Sequence, residues 1–235
     1  IMKKILLSLV VLGVSFSSPI SAQAKVTQSV LDNVIMIVSM NENSDELITG
    51  TGFLIAPHGY ILTNEHVIHG GDFFAFCRQI KGADQSECYD TESLKLLAKD
   101  ENLDLALLQF PKSVIFDKKD RENFLTLGSS DLAEIGDEIS IVGYPENALN
   151  TLNLTKGIIS GFVANYIGTD AKISPGNSGG PVLNDENQVI AIANAIISGQ
   201  YENLGLLIPS NDVRDWLIDI GYPATESVYA ADLNQ

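Results

Sequence analysis

Cysteine, histidine and basic residues are all in short supply, and no apolar run is long. The 235-residue chain has two cysteines, too few for a disulfide scaffold or a four-thiolate zinc site. Lys and Arg number 14 against 30 Asp and Glu, a formal charge of −16. A surface that acidic repels phosphate backbones and anionic lipid, so neither nucleic acid nor a membrane surface is expected as a partner. No apolar stretch reaches about 18 residues, so no membrane-spanning helix is expected. The chain has only three histidines, His58, His66 and His69. Hydrophobic residues at 45% and charged residues at 19% give the balance of a folded chain, not of a disordered one.

Lys3 and Lys4 precede an apolar run from Ile5 to Val14, and Ala22-Gln23-Ala24 has the small-x-small form of a cleavage site. Residues 1–24 are therefore read as a secretory signal peptide, and the protein as exported, periplasmic or secreted. No cysteine follows the run, so neither a lipid anchor nor any other stable membrane anchor is expected.

Beyond the leader, short Val- and Ile-rich runs recur between Gly, Asn, Asp and Pro. They include Val34–Met40, Gly52–Ala56, Tyr60–Thr63, Leu103–Phe110, Glu138–Gly143, Gly157–Val163 and Val189–Ile197. Many short strands in a sandwich or barrel fit that pattern better than strands alternating with helices. The charged stretch 117–123 is the natural linker between an N-terminal β unit (25–116) and a C-terminal unit (124–221). Ser210-Asn211-Asp212 offers a helix cap, Val213, Trp216, Leu217 and Ile220 follow at helical spacing, and Gly221 stops them. Residues 222–235 read as a polar tail.

Three segments concentrate the chemistry. Acyl transfer needs a hydroxyl nucleophile, an imidazole to take its proton and a carboxylate to fix the imidazole's tautomer. His66 ends a predicted Tyr60–Val67 strand, Asp104 interrupts the apolar run Leu103–Leu108, and Ser178 lies in Pro175-Gly-Asn-Ser178-Gly-Gly-Pro. Each alone has a plainer reading: a core histidine, a strand aspartate facing solvent, an ordinary Gly-Ser loop. Gly176, Gly179 and Gly180 permit a tight turn whose amides can form an anion-holding nest. The nucleophile elbow of α/β hydrolases, with its Ser-acid-His order, is excluded because no histidine follows Ser178. The subtilisin order lacks its α/β pattern here. A zinc set drawn from His66, His69, Cys77 and Cys88 matches no common spacing, so no metal is expected. In an exported chain Cys77 and Cys88 are better read as a disulfide closing a hairpin.

Taken together these segments resemble the trypsin-like serine peptidases, and within them the HtrA/Deg branch. The likeness runs from about Gly50 to Val213 and includes Thr51-Gly-Phe-Leu-Ile, Thr63-Asn-Glu-His66-Val, Asp104-Leu-Ala-Leu-Leu, Leu127-Gly-Ser-Ser-Asp, Ile135-Gly-Asp, Gly143-Tyr-Pro, Thr169-Asp-Ala and Ile208-Pro-Ser-Asn. The resemblance implies an all-β fold of two antiparallel six-stranded barrels with a short C-terminal helix, and a site in the cleft between the barrels. It implies a serine endopeptidase acting on polypeptide substrates without a cofactor. Ser178 would be the nucleophile, His66 the base, Asp104 its orienter, and Gly176, Asn177 and Ser178 the oxyanion turn. Ala193, Asn194 and Ala195 would pair with substrate as an added strand, and Lys172 falls near the primary specificity pocket. The family's usual PDZ module has no counterpart in this sequence, so regulation through one is not expected. Asn177 stands where zymogens of the wider family carry the aspartate that receives a freed amino terminus, so activation by such a cut is not expected either.

Overall fold

The computed structural model describes residues 25–43, 47–56, 59–79, 86–89, 94–111, 124–146, 151–197 and 204–222. The predicted leader, the 117–123 linker and residues 223–235 of the tail lie outside them. The described chain is mostly β. A short helix α1 (Gln28–Asp32) precedes β1 (Val34–Met40), β2 (Leu47–Ala56) and β3 (Tyr60–Thr63). The one-turn helix α2 (Glu65–Ile68) leads to β4 (Phe73–Gln79), β5 (Ser86–Tyr89), β6 (Lys95–Asp100) and β7 (Leu105–Gln109). The second half holds β8 (Glu138–Gly143), β9 (Asn153–Val163), β10 (Tyr166–Thr169), β11 (Pro181–Leu183), β12 (Val189–Ile197), β13 (Leu204–Pro209) and the helix α3 (Ser210–Asp219).

The second half is a closed six-stranded barrel in the order β10-β13-β12-β11-β8-β9. The first half departs from the expected closed barrel: it is a seven-stranded sheet, β5-β4-β1-β2-β3-β7-β6. Its ends approach each other, since the Leu94 N–H donates to the Phe74 carbonyl at 2.8 Å. β5 occupies the outer edge of β4 from Phe76 to Gln79.

Apolar runs are continuous where a strand is buried on both faces. In β7, Ala106 and Leu108 fill the first sheet's interior with Ile35, Ile37, Ile61 and Phe76. Leu105 and Leu107 face the other way, into the seam between the halves, with Phe53, Val142, Tyr144, Ile192 and Trp216. Ile139, Ile141, Ile159, Val182 and Leu207 fill the closed barrel. The two halves are thus joined through a third, shared core.

Two local expectations are corrected. The strand predicted to run to Val67 ends at Thr63, because Asn64 takes extended backbone as the N-cap of α2, which places His66 on a helix. Tyr222, read with the polar tail, is 7% exposed and meets Tyr60 edge-on, with centroids 4.9 Å apart. The helix predicted from Ser210 forms, and Gly221 ends it at φ +66°.

Cys77 and Cys88 face each other across β4 and β5 and are joined as a disulfide with a sequence separation of 11. β5 is otherwise a four-residue edge strand, stacked on Phe76 through Tyr89 at 4.8 Å. On the chain-entropy model a loop of this size stabilises by ~3 kcal/mol. The variant Cys77→Ser/Cys88→Ser is expected to lose about that much in urea denaturation. An unchanged midpoint would show that the disulfide adds nothing to the fold's stability.

Candidate active site

The carboxylate comes from a strained turn. Asp104 ends the bend between β6 and β7 at φ +54°, a left-handed conformation that aspartate tolerates better than most residues. Asp100 shapes this bend, its Oδ1 accepting the amides of Asn102 (2.8 Å) and Leu103 (3.0 Å). Asn64 fastens it to α2 by donating from Nδ2 to the Asp104 carbonyl at 2.8 Å.

The carboxylate of Asp104 then holds His66 twice. Oδ1 accepts the His66 backbone amide at 2.9 Å, and Oδ2 lies 2.7 Å from the ring Nδ1. An ionised carboxylate only accepts, so Nδ1 carries the hydrogen and the neutral ring keeps its lone pair on Nε2. The imidazole is 46% exposed against 19% for the carboxylate, so the ring is open to solvent while its orienter is sheltered.

Beneath α2, Glu65 faces inward and accepts from Lys99 Nζ at 2.8 Å and from His69 Nδ1 at 3.0 Å. Burial pushes the Glu65 carboxyl up, but the hydrogen bonds and charges of Lys99 and His69 outweigh it and leave it below the usual value. The contribution to stability is fully present above the ordinary glutamate value of about 4.3 and is lost as pH falls through the lowered folded value. Melting temperature should therefore fall more gently on the acid side in Glu65→Gln than in the parent. Parallel curves would mean the contact does not couple to folding.

Ser178 sits between β10 and β11, on a turn that needs glycine. Gly176 has φ +93°, and a Cβ there would overlap the Tyr144 carbonyl oxygen. Three carbonyls of the turn are pinned: Pro175 by the Glu146 amide (2.9 Å), Gly176 by the Thr51 hydroxyl (2.6 Å) and Asn177 by the Gly180 amide (3.0 Å). The Asn177 amide is also engaged, donating to Ser174 at 2.9 Å. The amides of Gly176 and Ser178 have no partner among the described residues.

The serine hydroxyl donates to the Asn194 carbonyl at 2.8 Å, and among the described residues no bond joins it to His66. Asn194 lies at a bulge where the pairing of β12 with β13 shifts between Ala193 and Ala195. β11 pairs with β12 only as far as Ile192, and Gly179 and Gly180 bond Ala193. Lys172 is exposed between buried Ala171 and Ile173, so its ammonium is not among the buried groups of the site. The sequence reading gave no role to Thr51, Asn64, Glu65 or Lys99, although the first three lie in segments that carry the resemblance.

Fold and site together define a trypsin-type peptidase domain. The chain belongs to the trypsin-like peptidase domain family, whose profile matches residues 50–192. Among curated relatives it is similar to a probable periplasmic serine endoprotease DegP-like of Rickettsia conorii, 38% identical over 70% of this chain and 32% of the relative. Another, of Chlamydia pneumoniae, is 34% identical over 76% of this chain and 36% of the relative. The chain thus spans about a third of the length of these relatives. Among solved structures, the HtrA-type protease AlgW with a tripeptide matches at TM-score 0.67 and 25% identity, covering 83% of this chain and 62% of that one. The serine endoprotease from Yersinia pestis matches in fold at TM-score 0.66 and 24% identity, covering 82% of this chain and 64% of that one.

Proposed function

We propose that this chain is an exported serine endopeptidase that hydrolyses peptide bonds through an acyl-enzyme. The observations that support the reading are an Asp104-oriented imidazole two residues beyond Asn64, which abuts Gly179, and a glycine turn whose Gly176 and Ser178 amides have no partner among the described residues. Ser178 is the nucleophile. His66 takes its proton through Nε2 and returns it to the leaving amine, while Asp104 stabilises the imidazolium. The amides of Gly176 and Ser178 receive the oxyanion. Before attack the hydroxyl must exchange the Asn194 carbonyl for His66. A substrate strand laid along Ala193–Ala195 would offer that carbonyl its own N–H and so release the hydroxyl. The leader and the names of the periplasmic relatives support export. With Lys172 exposed, the primary pocket is proposed to take small or medium aliphatic side chains.

The resting Ser178–Asn194 bond favours one rival, a catalytically silent trypsin-fold protein that binds polypeptides. A fluorophosphonate probe separates the two, since only an activated serine reacts with it. Labelling of the parent that is lost in Ser178→Ala, with cleavage of an unbiased peptide library, supports the peptidase. A folded parent that takes up no probe overturns it. A third reading, an esterase with the same residues, would show ester turnover without peptide cleavage.

The oxyanion turn is tied down by its own backbone and by Thr51, and Asn177 supplies no carboxylate for a freed amino terminus. Protein beginning at Lys25 with its amino group acetylated is expected to cleave peptide as fast as the same chain unblocked. Activity that appears only on freeing that amine would contradict this.

A further inference from the structure

Between the Gly176 and Ser178 amides, which have no partner among the described residues, lies the Gly176–Asn177 peptide, and one side chain holds its carbonyl. Thr51 belongs to β2, in the other half of the molecule, and is fully buried. Its hydroxyl donates to the Gly176 carbonyl at 2.6 Å and accepts the Tyr144 amide at 2.9 Å. Its backbone amide donates to the Ser178 carbonyl at 2.8 Å, and its own carbonyl accepts the Thr63 hydroxyl at 2.7 Å. Four bonds thus converge on one residue from β3, β8 and both sides of the nucleophile's turn.

We propose that Thr51 is a positioning residue that sets the plane of the Gly176–Asn177 peptide and thereby keeps the two flanking amides converged on the oxyanion. The inference rests on the serine-peptidase reading and deepens it. The Pro175 and Asn177 carbonyls are held by amides of the same half, so their peptides keep their planes whatever β2 does. Among the described residues the Gly176 carbonyl has only the Thr51 hydroxyl. Glycine on one side of that peptide permits rotation, and once the hydroxyl is gone only the bond from the Asn177 N–H to the Ser174 carbonyl opposes it among the described residues. Rotation swings the Cα atoms that carry the neighbouring amides. Those amides meet full negative charge only in the transition state, so the loss falls on kcat and spares KM. The hydroxyl also makes the link between halves directional. A valine of the same shape would fill the space but leave the Gly176 carbonyl without a donor and the Tyr144 amide without an acceptor.

The test compares the full chain with Thr51→Val, Thr51→Ser and Thr51→Cys, with kcat and KM measured on one cleaved peptide. Thr51→Val is expected to lose kcat by on the order of 10- to 100-fold with KM within about twofold, a share of what deleting an oxyanion donor costs. Thr51→Ser, which keeps the hydroxyl, should stay within about threefold of the parent, and Thr51→Cys should fall between. Parent-like kcat in Thr51→Val, or equal losses in Thr51→Val and Thr51→Ser, overturns the proposal. If Thr51→Val does not fold, parent-like kcat in Thr51→Cys overturns it instead. Amide hydrogen exchange at Asn177 and Gly180 reads the turn without any reaction. It should rise at least about tenfold in Thr51→Val, or in Thr51→Cys where the valine variant fails, and not in Thr51→Ser. Unchanged exchange sinks the clamp even in an active enzyme. A parent that is inert to fluorophosphonate but shows the expected exchange pattern sinks the peptidase reading and leaves the clamp standing.

Discussion

Ser178→Ala is expected to abolish peptide turnover, with kcat falling on the order of 10³-fold or more, while the protein stays folded. The change removes one oxygen from a half-buried side chain. Its only described bond is to the carbonyl of buried Asn194, so the cost in stability is about 1–3 kcal/mol. His66→Ala should cost as much, and the double variant hardly more, because residues that pass one proton act as a unit. The check is kcat on a cleaved peptide beside a thermal melt of each variant. Near-normal turnover in Ser178→Ala would remove Ser178 from the role of nucleophile. A collapsed melt would move the residue from chemistry to architecture.

Gly179→Ala should damage the fold itself. Gly179 has φ +84°, where alanine is strained by roughly 1–2 kcal/mol. A Cβ there would also overlap the Thr51 carbonyl oxygen and the Thr63 hydroxyl, and stand 3.0 Å from the Asn64 amide. Neither oxygen can step aside alone, because the Thr63 hydroxyl is bonded to that carbonyl at 2.7 Å. Overpacking of this kind adds about 1–3 kcal/mol. A total loss of roughly 2–5 kcal/mol in urea denaturation is therefore expected, together with lost activity, since Thr51 moves with its carbonyl. A variant within about 0.5 kcal/mol of the parent would show that the seam between the halves yields freely, contrary to its close packing.

Much of the site was legible in residue order. The sequence His66, Asp104, Ser178 excluded the rivals that need another order, and the glycines around Ser178 marked a turn that only glycine permits at Gly176 and Gly179. Strands with alternating or doubly buried faces were legible in β1, β7, β8 and β12, since their periodicity follows directly from which faces are covered. Polar edge strands were not. β5 and β6 are largely exposed, so no apolar pattern announces them, and β5 is held by a disulfide and a ring stack. The short helix carrying His66 was also hidden, because one turn is too brief for helical periodicity to register.

By itself, then, the sequence determined the residue types at the site, the glycine turn, the cysteine pair and the all-β character, because each depends on local stereochemistry or on the chain's own periodicity. Tertiary structure decided the rest. It set the order of the first sheet, with β5 on the edge of β4 from Phe76 to Gln79. It turned Asp104 out of its apolar run and onto His66, and it gave the Ser178 hydroxyl a carbonyl partner at a bulge. It also made Thr51, which in sequence is one more β-forming residue of a strand, the holder of a peptide 125 residues away. A hydrogen bond between groups so far apart in the chain has no local signature. It exists only once the two halves have packed against a common seam.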